Sequence, residues 1–372
     1  MLIGVPKEIK DSEYRVGLAP ESVREVIAHG HQVMVETNAG AGIGASDDEY
    51  KRAGANIVDT AAEVFARANM VVKVKEPQAI ERAMLREGQI LYTYLHLASD
   101  PQQARDLINS GAVCIAYETV TSAFGGLPLL RPMSEVAGRM SIQAAAHSLE
   151  KTHGGIGMLM GGVPGVRSAR VVIIGGGVVG AHAAHIAVGM GAEVWVLDRS
   201  NEALDRIWTQ FGRSVNTIYS TRDAIEQHVL EADVVIGGVL IPGAAAPKLV
   251  TAEHVKAMKS GAVMVDVAID QGGCFETSRA TTHSNPTYVV DGVVHYCVAN
   301  IPGGVPRTST FALNNATLAG ALALADKGYK QALIDDPHLR NGLNVHRGDI
   351  TYRQVAQDLG YNYVEALASI AK

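Results

Sequence analysis

Gly175-x-Gly177-x-x-Gly180 stands between a β-branched apolar run, Val171 to Ile174, and a helical stretch. In that position each glycine has its own task. The first turns the chain tightly, the second lets backbone approach a pyrophosphate, and the third packs helix against strand. The N–H groups and dipole at the helix start then hold the anionic phosphates. A second strand, Glu193 to Leu197, ends in Asp198, at the spacing past the glycines where a dinucleotide fold places its acidic residue. A carboxylate there accepts hydrogen bonds from both ribose hydroxyls and repels a 2′-phosphate, which points to NAD rather than NADP. Val171 to Ala192 is also a run without a formal charge, long enough to suggest a membrane helix. Its six glycines, three of them consecutive at 175 to 177, break such a helix.

Four further residues are of types that do chemistry: Arg15, Lys75, His96 and Asp270. Arg15 can pair bidentately with a carboxylate, or stand as a solvated loop charge. Lys75 follows an apolar run directly, and a lysine at a strand end is partly buried. His96 follows Leu91 to Leu95; imidazoles exchange protons near neutral pH, but a histidine at a strand end is also a common structural residue. Asp270 precedes a glycine pair, where an aspartate can simply cap the turn.

Open α/β sheets bind ligands beyond the carboxyl ends of their strands, so these residues need parallel sheets to carry them. Short apolar runs alternate with helical patterns along the chain, which predicts such sheets with crossover helices. One series has strands near 2–5, 32–36, 70–74, 90–95 and 112–117. A helix opens at Pro20 and stops at Gly30, and another has the capping box Ser46-x-x-Glu49. The second series adds strands near 217–219, 233–239, 263–267 and 293–298 to the two around the glycine turn, a six-strand doubly wound sheet. Past about Arg307 the pattern is purely helical. The predicted fold is α/β, with two doubly wound parallel-sheet (Rossmann-like) domains joined by long helices and an active site in the interdomain cleft. Residues 1–128 plus 307–372 form the expected substrate domain, and 129–306 the NAD-binding domain.

Composition agrees with a globular enzyme: 372 residues, 47% apolar, 19% charged. A net charge of −6 without basic clusters argues against nucleic-acid binding. Met1 to Pro6 opens a strand rather than a signal peptide, and Cys114, Cys274 and Cys297 lack metal-like spacing, so reduced thiols in a cytoplasmic protein are expected.

Lys73-Val-Lys-Glu-Pro, Tyr94-Leu-His-Leu-Ala, Tyr117-Glu-Thr-Val, Pro132-Met-Ser-Glu-Val-Ala-Gly-Arg, Leu159-Met-Gly-Gly-Val-Pro-Gly-Val, Val267-Ala-Ile-Asp-Gln-Gly-Gly-Cys-Phe-Glu and Val298-Ala-Asn-Ile-Pro follow one another along the chain. With Gly4-Val-Pro-Lys-Glu and Glu13-Tyr-Arg-Val-Gly, this series resembles the L-alanine dehydrogenase family over essentially the whole length. The series is also similar to the NAD-binding subunit of proton-translocating transhydrogenase.

The resemblance implies that Arg15 and Lys75 hold a keto-acid substrate, that His96 is the acid/base, and that Asp270 sits beside the reacting centre and nicotinamide ribose. It places NAD against Ser134, Gly175, Gly177, Val178, Val179, Gly180, Asp198, Ser220, Val239, Leu240, Val267, Ala268, Ile269, Asp270, Arg279, Val298, Ala299, Asn300 and Ile301. Where the family often has a lysine near the adenosine, shortly after the acidic residue, this chain has Ala203. The implied reaction is reversible: L-alanine, NAD and water give pyruvate, ammonia and NADH. Arg15 would orient the carboxylate, Lys75 polarise the carbonyl oxygen, Asp270 oppose the positive charge that develops when hydride leaves Cα, and His96 move protons at the substrate oxygen. No metal is required. The family also implies a homohexamer. A related 2-amino-acid or opine dehydrogenase, and a transhydrogenase-like NAD-binding subunit, are the alternatives; the second has no use for Arg15, Lys75 and His96.

Overall fold

The structure, a computed structural model, describes residues 1–239 and 246–372. It divides into two compact units, Met1–Met133 with Val305–Lys372, and Ser134–Gly304.

The chain first lays down β1 (Leu2–Val5), β2 (Gln32–Glu36), β3 (Asn56–Val58), β4 (Met70–Val72), β5 (Ile90–Thr93) and β6 (Val113–Ala116). Helices Pro20–Ala28, Asp47–Arg52, Ala61–Arg67 and Pro101–Ser110 cross between them. Ser46 and Glu49 form the reciprocal capping box that their spacing predicts. Helix Arg131–Ser148 then carries the chain into the second unit. There follow β7 (Arg170–Ile174), β8 (Glu193–Asp198), β9 (Val215–Tyr219), β10 (Val234–Gly237), β11 (Val263–Asp266), β12 (Thr287–Val290) and β13 (Val293–Tyr296). The chain returns at helix Pro306–Lys327 and ends with β14 (Leu343–His346), β15 (Asp349–Ile350) and two short helices.

The first sheet has the order β15-β14-β6-β5-β4-β1-β2-β3, parallel except for β14 and β15. The second has the order β12-β13-β11-β10-β7-β8-β9, parallel except for β12. Its strand order reverses between β7 and β10, and a ligand crevice belongs outside the carboxyl ends of strands at such a switch. From Val171 to Ile174 every residue of β7 is buried, with Val171 and Ile173 in one core cluster and Val172 and Ile174 in another. Burial on both faces is why a continuous apolar run marks this strand.

Two expectations need correction. The second sheet has seven strands rather than six, and the tail after Arg307 is not purely helical. The unexpected strands β12, β14 and β15 are short and join antiparallel at sheet edges. In β14 Asn344 and His346 are polar. They are buried because Asn344 donates to the Thr119 hydroxyl at 2.7 Å and His346 Nδ1 lies 2.8 Å from the Ser369 hydroxyl. Tertiary partners of that kind leave no apolar run to read. The short edge strand β3 was equally silent. Among the described residues no helix is long and apolar enough to cross a membrane.

Candidate functional site

In the second unit, the carboxyl ends of β7 to β10 surround a cavity of about 390 Å³. Among the described residues it brings together Ser134, Gly175, Gly177, Val178, Val179, Asp198, Ser220 and Val239, and adds Arg199, Pro247 and Leu249, which the motif does not single out. Gly175 takes φ +108°, a region where side chains are strained. Gly180 lies against it so closely that a Cβ would stand 1.8 Å from the Gly175 carbonyl oxygen. Among the described residues a Cβ at Gly177 would meet nothing within 4 Å, so backbone there is open to a ligand. Gly177 also caps helix Val178–Gly189 without a side-chain acceptor for its first N–H groups. Those donors and the helix dipole suit an anion.

Asp198 accepts the Gly176 N–H at 2.6 Å and the Ser200 N–H at 2.7 Å, one on each carboxylate oxygen. Each oxygen has a second lone-pair site with which to accept a ribose hydroxyl. The glycine cradle, the space beside Gly177 and this fixed carboxylate fit a dinucleotide. Ala203 is buried directly beneath, 3.6 Å from where a Gly176 Cβ would be.

The other expected cofactor residues do not line this cavity. Val267, Ala268, Ile269 and Asp270 belong to the turn after β11, and Val298, Ala299, Asn300 and Ile301 follow β13, so they continue along the same sheet edge. Arg279 stacks its guanidinium 4.1 Å from the Tyr288 ring centre. Leu240 lies outside the described residues. The turn carrying Asp270 is pinned by buried Asp266, which accepts the N–H groups of Ala268, Cys274 and Phe275 and the Ser278 hydroxyl. Burial pushes the Asp266 carboxyl up, and those four hydrogen bonds pull back against it. Asp270 itself is exposed.

In the first unit, adjacent strands β4, β5 and β6 lead to Lys75, His96 and Glu118. Lys75 is half-buried, and the Thr93 hydroxyl donates to its carbonyl at 2.9 Å. His96 is exposed and adopts φ +51°, left-handed backbone that costs a non-glycine residue about 1 kcal/mol or more. Glu118 holds it there by accepting the His96 N–H at 2.6 Å and the Leu95 N–H at 3.1 Å. The imidazole lies nearly parallel to the Tyr94 ring, 5.8 Å away.

Arg15 is 2% exposed, which removes the solvated-charge reading. Glu13 receives it bidentately, Nε to Oε1 at 2.7 Å and Nη2 to Oε2 at 2.6 Å, and its Nη1 is 3.1 Å from the Met133 sulfur. The irregular segment after Arg15 is held by helix Pro306–Lys327. Thr310 accepts the Val16 N–H at 3.3 Å, and Asn314 accepts the Ala19 N–H at 2.7 Å while donating to the Gly17 carbonyl at 3.1 Å. In the same unit, fully buried Lys73 reaches Glu81 at 2.7 Å and Glu8 at 2.9 Å. Burial opposes the ammonium charge, but the two carboxylates outweigh it and hold the lysine's pKa up.

Sequence reasoning missed Glu13, Thr310, Asn314, Lys73 and Asp266. Three signals were present: an acid just before Arg15, polar residues one helical turn apart on an apolar helix, and a lysine inside an apolar run.

Two α/β units, one with a glycine-turn crevice at its switch point, define a Rossmann-like protein. Family models described as "Alanine dehydrogenase/PNT, N-terminal domain" and "Alanine dehydrogenase/PNT, C-terminal domain" match residues 4–137 and 141–353. Proteins named alanine dehydrogenase from Halomonas elongata and Methanococcus maripaludis are 58% and 55% identical, over 100% and 98% of this chain and 100% and 99% of theirs. A solved structure titled L-alanine dehydrogenase superposes with a TM-score of 0.94 at 50% identity, over 97% of this chain and 99% of that one. The chain belongs to the alanine dehydrogenase/PNT family and is an oxidoreductase. A transhydrogenase from Sinorhizobium meliloti, 24% identical with a TM-score of 0.82 over 95% of this chain and 99% of that one, shares the fold.

Proposed function

We propose that this chain catalyses the reversible, NAD-dependent oxidative deamination of L-alanine to pyruvate and ammonia. The observation that carries this reading is the end-to-end 58% identity to the Halomonas elongata alanine dehydrogenase. When bound, NAD supplies the hydride acceptor.

The residues of this chain divide the remaining work. The cradle of Gly175, Gly177 and Gly180 receives the pyrophosphate, and Asp198 accepts the ribose hydroxyls and selects against a 2′-phosphate. Ser134, Val178, Val179, Ser220 and Val239 line the nucleotide's path. Val267 to Asp270, Arg279 and Val298 to Ile301 serve its nicotinamide half. Arg15, aligned by Glu13, pairs with the substrate carboxylate. Lys75 Nζ polarises the keto oxygen, and the Asp270 carboxylate opposes positive charge at the reacting carbon. The His96 imidazole gives and takes the proton at the substrate oxygen, its backbone set by Glu118. The same reading makes the protein a cytoplasmic homohexamer.

NADH oxidation with ammonium and a panel of 2-keto acids tests it. Pyruvate is expected to be fastest, glyoxylate or 2-oxobutyrate slower, and 2-oxoglutarate inert, with NADPH a poor replacement. A 2-oxoglutarate rate above that of pyruvate would move the chain to another 2-amino-acid dehydrogenase. Failure of every keto acid to support ammonium-dependent oxidation would remove the reading altogether.

A further inference from the structure

Outside both clusters, three side chains converge where helix Arg131–Ser148 ends. His147 is in its last turn, Glu150 follows, and His153 closes the short turn Lys151–His153. We propose that His147, Glu150 and His153 form a three-ligand surface site for a divalent transition metal, with zinc as the natural occupant.

One ligand atom from each residue lies within 4.8 Å of the other two. Nδ1 of His153 is 3.2 Å from one Glu150 oxygen, and Nδ1 of His147 is 3.7 Å from the other. Zinc binds imidazole nitrogen and carboxylate oxygen at about 2.0–2.2 Å, so tetrahedral geometry separates neighbouring ligand atoms by roughly 3.4 Å. All three side chains are exposed and free of packing that would stop them rotating to that spacing. The two imidazoles stand 3.7 Å apart, centre to centre. Sharing one tetrahedral ion swings the rings apart to roughly 5 Å between centres, so that both in-plane lone pairs converge on it. The donor set of two imidazoles and a carboxylate suits zinc, cobalt or nickel rather than magnesium or calcium.

The backbone is already shaped for this purpose. Glu150 N–H donates to the His147 carbonyl at 3.2 Å, His153 N–H to the Glu150 carbonyl at 3.0 Å, and Gly157 N–H to the carbonyl of buried Leu149 at 2.8 Å. The three ligand positions are thereby fixed by main-chain bonds. A cation here also meets the partial negative charge of a helix C-terminus. With the side chains of His147 and Glu150 more than half exposed, water completes the coordination.

The test is zinc titration of chelator-stripped, full-length protein by calorimetry, followed by cobalt absorption spectra. The wild type is expected to take one zinc per chain. The His147→Ala/His153→Ala double variant should bind it at least about 100-fold more weakly, because losing even an outer partner of a ligand costs about 10- to 100-fold. NADH affinity should be unchanged, and His31→Ala, which alters the separate His29/His31/Asp326 cluster, should leave zinc uptake intact. Absence of zinc uptake by the wild type, or wild-type uptake by the double variant, overturns the site.

Discussion

Asp198 and Gly176 are joined by a 2.6 Å hydrogen bond, the glycine N–H donating to the carboxylate. The acid that ends β8 therefore also braces the glycine turn at the end of β7. Asp198→Ala is expected to weaken NADH binding by about 10- to 100-fold, the equivalent of roughly 1.5–3 kcal/mol for a bond to a charged group, and to improve NADPH binding. Asp198→Asn keeps one acceptor oxygen and should fall between. Fluorescence titration with both nucleotides decides; an unchanged NADH/NADPH ratio in the alanine variant means the ribose is read elsewhere.

His96 needs a replacement that tolerates its left-handed backbone, and asparagine does so better than alanine. His96→Asn should lower kcat by about 10²- to 10⁴-fold, the usual loss for a general acid/base, with NADH affinity nearly intact. Steady-state rates and NADH titration are the readouts. A wild-type kcat at about pH 6 to 9 would make the imidazole structural.

Burial of Arg15 changes what its removal means. Arg15→Ala leaves the Glu13 carboxylate buried without the guanidinium, which costs about 3–5 kcal/mol of stability in addition to a raised pyruvate KM. Arg15→Met/Glu13→Gln should recover most of the lost stability in urea unfolding but none of the lost substrate affinity. If the double variant regains a low KM, Arg15 holds its own loop and not the substrate.

Asp233 gives the second unit a pH dependence of definite sign. Its fully buried carboxylate accepts from Arg167 at 2.7 Å, the Arg170 N–H at 2.8 Å and Lys259 at 2.9 Å. Burial alone would raise its pKa, but these bonds hold it at about 2. A depressed folded-state value stabilises above the unfolded value, about 3.9, and the benefit fades as pH falls towards 2. Asp233→Asn should cost about 2–3 kcal/mol at neutral pH, and the deficit should shrink below about pH 4. Urea midpoints that differ equally at both ends of that range would contradict this.

What the sequence disclosed and what it hid follow one physical division. The turn at Gly175 and the strand ending at Asp198 are local: spacing alone dictates that a strand, a tight turn and a helix follow one another. Lys75 and His96 were legible for the same reason, as the residues just past buried runs. The burial of Arg15 was harder to read: its partner Glu13 is local, but the segment that follows is held by Thr310 and Asn314, which lie far along the chain. Asp266 drew no attention because its role exists only once the fold wraps four donors around it. The edge strands β12 and β14 owe their existence to pairing rather than to pattern.

The return of the chain at Val305 also dictates an order of assembly during synthesis. When Gly304 leaves the ribosome, the stretch from Ser134 onward is complete, although it was made later than Met1–Met133. The earlier stretch still lacks β14, so β6 has an open edge, and the segment after Arg15 lacks Thr310 and Asn314. Open strand edges invite wrong partners, so the nascent first unit is the part exposed to mispairing. In nascent chains arrested with Gly304 just clear of the ribosome, protease should cut within Met1–Met133 and spare β7 to β11.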